Sequence, residues 1–166
     1  MATASVRRRA ARIRCAVFDI DGVMTDGKLY LGPGGQEWKA VSVRDGLGLK
    51  LLLQAGIEVA VISGRPSTAM QSRFASLGVT RLYLDTEDKL PVYEHLRSDL
   101  GLRDEHCAVM GDDTPDLPMM ECAGLALTVA DAHPSVLKAA HWASRFPGGQ
   151  GAVREACDLL LAARKR

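Results

Sequence analysis

Residues 15–27 read CAVFDIDGVMTDG. A short apolar run, Ala16-Val17-Phe18, ends in two aspartates one residue apart, Asp19 and Asp21. Bounded by Arg14 and Gly22, it predicts a buried strand that stops at a turn. Past the strand end the chain curls, so the two carboxyl groups can converge. Carboxylates held close together repel, and both stay ionised only with a cation between them. Hard oxygen ligands of this kind suit Mg2+, which keeps room for water and phosphate oxygens. One carboxylate beside such an ion can attack phosphorus while a second moves the proton. On its own the string fits a solvated Asp/Gly turn equally well.

Outward from this stretch, apolar runs alternate with helical patterns. Ile57–Ile62 is, apart from Glu58, a β-branched and apolar run, the signature of a parallel strand covered on both faces. Strands are expected at 81–84, 107–110, 125–129 and around 140–143. Helices are expected from Asp45, which would cap the first of them, to Ala55; from Pro66 to Gly78; over 88–100 and 115–122; after His133-Pro134; and over 151–163. This is the pattern of βαβ units, hence an α/β fold with a doubly wound parallel sheet. Between Gly27 and Val43, two alternating runs flank Gly32-Pro33-Gly34-Gly35, which predicts a projecting β-hairpin. Residues 1–13 read as a disordered basic arm, leaving one domain over 14–166.

In an open α/β sheet, ligands bind beyond the carboxyl ends of the strands. Those ends carry Asp19 and Asp21, then Ser63-Gly64-Arg65, then Gly111-Asp112-Asp113. With a helix beginning at Pro66, the Ser63 hydroxyl, nearby N–H groups and the helix N-terminus could face one phosphate; an ordinary N-cap serine has the same spelling. Lys89 opens a helix, where the dipole disfavours a cation, so a bound anion is the better reason for it. Asp112, Asp113 and Asp116 crowd three acids into five positions. A cap explains one, and a cation site explains the others.

Four ordered segments, FDIDGVMTDG, VISGR at 61–65, Lys89 and GDDTPD at 111–116, resemble the motifs of the haloacid dehalogenase-like superfamily. SVRDGLG at 42–48, VADAHP at 129–134 and GGQGAVRE at 148–155 resemble, more narrowly, its 3-deoxy-D-manno-octulosonate 8-phosphate phosphatase family. The resemblance implies a Rossmann-like fold without a cap domain and a Mg2+-dependent phosphatase of lipopolysaccharide synthesis. By it, Asp19 is the nucleophile, Asp21 the proton shuttle, and Ser63 and Lys89 hold the phosphoryl group. Mg2+ would be bound by Asp19, the Asp21 carbonyl and Asp112. Ser42, Val43, Arg44, Asp45, Gly46, Lys50, Arg65 and Arg73 would line the sugar site, with Gly64 beside the phosphate. Ser42 and Lys50 replace the Asn and Arg more usual there. The resemblance also implies a homotetramer built through the hairpins. Phosphatases of nonulosonate 9-phosphates, or an inactive regulatory homologue, are the alternatives.

Composition restricts the field further. With net charge +1, 47% hydrophobic and 25% charged residues, the 166-residue chain calls for neither nucleic acid nor a membrane as partner. A small-molecule sugar-acid phosphate is the partner that the resemblance implies. The arginines gather at the two ends and read as solvated tails. The four cysteines form no C-x-x-C pair and suit a reducing cytoplasm. No apolar segment precedes Arg14, so no signal peptide is expected. None of the cysteines is followed six residues later by arginine, as a cysteine-dependent phosphatase needs. Gly46-x-Gly48 lacks the third glycine of a dinucleotide fingerprint.

Overall fold

The computed structural model describes residues 2–164. Six parallel strands form one sheet: β1 (Cys15–Phe18), β4 (Glu58–Ile62), β5 (Arg81–Tyr83), β6 (Cys107–Met110), β7 (Leu125–Thr128) and β8 (Trp142–Ala143). Their order is β5-β4-β1-β6-β7-β8. A separate antiparallel pair, β2 (Tyr30–Leu31) and β3 (Glu37–Trp38), makes the predicted hairpin, and no other domain interrupts the sheet. The helices are α1 (Ala4–Ala10), α2 (Val43–Gln54), α3 (Thr68–Leu77), α4 (Lys89–Asp99), α5 (Leu117–Cys122), α6 (Pro134–Ala139) and α7 (Ala152–Arg164). Right-handed crossovers put α2 and α3 on one face, where α1 and α7 join α2, and α4, α5 and α6 on the other.

The core explains the strand sequences. All residues of β1, β6 and β7 are buried, because helices cover both faces of the sheet. After β1 the chain winds leftward through β4 and β5, then returns to the far side of β1 as β6. The order therefore reverses between β1 and β6, and that crevice is where such folds bind ligands. Phe18 is in register with Met110, and Asp19 N–H donates to the Met110 carbonyl at 3.0 Å. The two strand ends thus finish level, each followed by acidic residues.

Three expectations change. The arm expected over 1–13 is, in its described part from Ala2 on, a packed element: α1 starts at a Thr3 cap, buries Val6 and Ala10, and packs on α7, while Met1 lies outside the described residues. Arginines on its outer side mask a two-residue apolar stripe. Asp45 does not cap its own helix; Ser42 does, accepting from Arg44 N–H. The buried Asp45 instead accepts from Arg154 N–H at 2.7 Å and so caps α7. Pro66 lies outside α3, whose cap is Ser67. Of the basic C-terminal tail, Lys165 and Arg166 lie outside the described residues.

Candidate active site

The crevice opens into a cleft of about 470 Å³ lined by Asp19, Asp21, Ser63, Gly64, Arg65, Lys89, Asp112 and Asp116, among others. Each side chain is delivered by a strand end or the helix after it. Asp19 follows β1 and is almost fully buried. Lys89, first residue of α4, is buried as well and donates to Asp19 Oδ1 at 2.7 Å and Asp116 Oδ1 at 2.6 Å. Its odd position at a helix start is thereby explained: two carboxylates face it.

Asp116 holds the third corner. Its Oδ2 accepts from the N–H groups of Asp112 and Asp113, folding the turn after β6 back upon itself. Gly111 makes the room, since a β-carbon there would lie 2.3 Å from Asp116 Cβ. On the other wall, Gly22 has φ +89° and a β-carbon on it would lie 2.0 Å from Asp112 Oδ2. The glycine of the D-x-D-G string therefore does two things: it turns the chain and admits the Asp112 carboxylate. Thr25, fully buried, accepts from Gly22 and Gly27 N–H at 3.2 Å each and sets the shape of the loop. Behind that loop lies Gly148-Gly149, so close that a β-carbon on Gly148 would stand 1.8 Å from the Gly22 carbonyl oxygen. Gly149 N–H donates to the Val23 carbonyl at 3.0 Å.

Oxygens of Asp19, Asp112 and Asp116 all come within 4.8 Å of one another. Burial, then the neighbouring Asp116, lifts the Asp19 carboxyl to about 7. Burial, then Asp19, Asp116 and Asp113, lifts Asp112 to about 8. Burial works against the Lys89 ammonium, but Asp19 and Asp116 outweigh it and raise its pKa above the ordinary value. One lysine among three converging carboxylates leaves a shortfall of positive charge, which a hard divalent cation makes good. The Asp21 side chain is not in that group; it pairs with Lys39 of the hairpin root.

Ser63 is buried at the cleft floor, its N–H bonded to the Tyr83 carbonyl and its own carbonyl accepting from Thr86 N–H. Because α3 begins only at Thr68 and Ser67 takes its cap, the helix N-terminus does not reach the cleft as expected; the Ser63 hydroxyl and loop N–H groups from Gly64 onward are the available donors. Arg65 lines the cleft and pairs with Glu37 of the hairpin at 2.8 Å. The other sugar-site candidates lie elsewhere. Ser42, Asp45, Gly46 and Arg73 surround a separate, narrow cavity between the hairpin root, α2 and α3. Val43, Arg44 and Lys50 are exposed on α2. Within one chain the phosphoryl pocket and these residues are two places.

Thr25, Glu37 and Lys39 escaped the sequence reading, since threonine in a turn and alternating charges in a hairpin carry no chemical signature of their own. Among the described residues, no helix is long and apolar enough to cross a membrane.

A family model described as haloacid dehalogenase-like hydrolase matches residues 85–153. The 3-deoxy-D-manno-octulosonate 8-phosphate phosphatase of Yersinia pestis is 47% identical over 161 residues, covering 97% of this chain and 86% of that protein. Its Escherichia coli K12 counterpart is 45% identical over the same shares. The crystal structure of the Yersinia pestis phosphatase superposes with a TM-score of 0.96 at 46% identity, over 98% of this chain and 88% of that one. The Moraxella catarrhalis phosphatase, solved with a magnesium ion, a phosphate ion and KDO, superposes with a TM-score of 0.94 at 36% identity, over 96% of this chain and 92% of that one.

Proposed function

The chain belongs to the 3-deoxy-D-manno-octulosonate 8-phosphate phosphatase family of haloacid dehalogenase-like hydrolases, and from that membership we propose how its own residues divide the work. It is a Mg2+-dependent phosphatase that releases the free sugar acid and phosphate, a step toward lipopolysaccharide. The observation that carries the assignment of roles is the meeting of Asp19, Lys89, Asp112 and Asp116 at the β1/β6 crevice, with Asp21 beside them.

Asp19 Oδ attacks phosphorus, and the bond from phosphorus to the sugar oxygen breaks. Asp21 gives its proton to that leaving oxygen, yielding the free sugar acid and an aspartyl-phosphate. Water then attacks the phosphoryl group, passing a proton to Asp21 as the Asp19–phosphorus bond breaks and phosphate departs. Ser63, loop N–H groups and Lys89 hold the phosphoryl oxygens and spread their charge. Asp19, Asp112 and the Asp21 carbonyl would hold Mg2+, with Asp116 close by. The ion supplies charge stabilisation to the phosphoryl oxygens.

The separation of the two residue groups supports a shared site. Arg44, Lys50 and Arg73 stand away from their own cleft, while Leu29, Tyr30, Leu31, Trp38, Val41, Val43 and Leu47 leave the hairpin and the start of α2 conspicuously apolar and exposed. A two-strand hairpin with such a surface needs a partner to be stable. In a homotetramer joined through hairpins, the sugar-facing residues of one subunit would serve the cleft of the next. All four cysteines are free thiols, in keeping with a cytoplasmic enzyme.

A panel of phosphorylated sugar acids assayed with Mg2+ tests the substrate. The highest kcat/KM is expected for 3-deoxy-D-manno-octulosonate 8-phosphate; a preference for a nonulosonate 9-phosphate would reassign it.

A further inference from the structure

The hairpin does more than present an apolar surface. Lys39, immediately after β3, turns its ammonium inward to stand 2.8 Å from both Asp21 carboxylate oxygens. Its side chain is only 5% exposed, although Trp38 beside it is 56% exposed. A lysine with a solvated role would not be folded away from water between two such neighbours. Glu37 Oε1 lies 3.6 Å from the same ammonium, and Glu37 Oε2 accepts from Arg65 at 2.8 Å. A chain of alternating charge, Arg65–Glu37–Lys39–Asp21, thus runs along the mouth of the cleft.

Asp21 needs such a hold. It follows the strand end in a loop, and among the described residues Lys39 is the only hydrogen-bond donor to its carboxylate. A proton shuttle must reach the leaving oxygen to within about 3 Å, and a freely turning carboxylate does so only part of the time. An ammonium touching both oxygens fixes the plane of the carboxylate, and Glu37, tied to Arg65, fixes the ammonium.

We propose that Lys39 is a positioning residue of this phosphatase, acting on turnover through Asp21. The inference rests on the proton-transfer role given to Asp21 above. The competing account is that Lys39 merely pins the hairpin to the body of the subunit, in which case its loss acts on fold or substrate binding and not through Asp21.

The test is a double-mutant cycle on the full-length enzyme with Mg2+ and a sugar-acid phosphate. Lys39→Met is expected to lower kcat roughly tenfold to a hundredfold, below the ceiling set by losing general acid–base catalysis altogether, with KM within about twofold. In an Asp21→Asn background, followed through its residual turnover, the same change is expected to cost less than about twofold. Lys39→Arg, which can still bridge both oxygens, should recover most of the loss. Equal losses in both backgrounds, or a loss carried by KM, would overturn the proposal. Lys39→Gln repeats the measurement in a second variant, and failure of both to give a native circular dichroism spectrum would assign Lys39 to the fold alone. An Asp21→Asn enzyme with normal turnover would instead refute the role of Asp21, an outcome distinct from all of these.

Discussion

The Lys89 ammonium donates to Asp19 Oδ1 at 2.7 Å, joining the first residue of α4 to the first residue after β1. The same ammonium reaches Asp116 at 2.6 Å. The proposed nucleophile and its counter-charge are therefore one preformed unit, placed on elements anchored in the core, so little reorganisation remains for the reaction itself.

Asp19→Asn keeps the shape of this unit and removes the nucleophile. Turnover is expected to fall at least about a thousandfold. The fold should survive, with a melting temperature unchanged or raised near pH 8, because an ionised Asp19 is unfavourable where it is buried. Near-normal kcat in a natively folded Asp19→Asn enzyme would contradict an aspartyl-phosphate route.

The raised carboxyls also predict how stability varies with pH. Asp19 and Asp112 hold protons up to about 7 and about 8 in the fold, well above the 3.8 of their unfolded form. Their contribution is fully present below pH 3.8 and lost as pH rises through those values, so metal-free enzyme should melt lower at pH 8 than at pH 5. Added Mg2+ should replace the protons and flatten the slope, while restoring activity lost to chelation. Ca2+, larger and with more ligands, should bind without supporting turnover. Calorimetry across this range decides it; a melting temperature that climbs toward pH 8 without metal would exclude the charge shortfall.

Arg65 lines the cleft, and among the described residues its guanidinium hydrogen-bonds only with Glu37. Its expected partner is the carboxylate of a sugar acid, bound by the guanidinium fork. Arg65→Ala should therefore lower kcat/KM for the sugar-acid phosphate by about one to three decades and that for p-nitrophenyl phosphate far less, the cost there being only a looser Glu37–Lys39 hold on Asp21. Equal losses on both substrates would move Arg65 into the phosphate pocket.

Leu31 and Trp38, 75% and 56% exposed, crown the hairpin. Changing both to glutamate should split the proposed tetramer into smaller species by light scattering, with kcat/KM on the sugar-acid phosphate reduced at least about tenfold as the neighbour's residues are withdrawn. A wild-type monomer at micromolar concentration with full activity would disprove the shared site.

Much of this was legible in the chain itself. The apolar runs before Asp19, over 59–62 and up to Met110 announce parallel strands because burial on both faces leaves no polar position within them. Their acidic or serine-rich ends then mark the crevice. What stayed hidden depends on contacts between distant segments. Asp45 looks like a local cap, and only the packing of α2 on α7 reveals that it serves Arg154 N–H. Residues 4–10 look like a charged tail, because the two residues that hold α1 down are small and sparse. Lys39 looks like one more hairpin charge until the fold brings it to Asp21.

The fit of Gly148 against Gly22 has a bearing on the life of the molecule before it is complete. A ribosome delivers the D-x-D-G loop well before the Gly148-Gly149 segment that backs it, more than a hundred residues further along the chain. Contacts between such distant segments form late, after long loops have closed. A nascent chain thus carries its reactive aspartates on an unbacked loop, and the sugar phosphate meets a working catalyst only after α7 has been synthesised and docked.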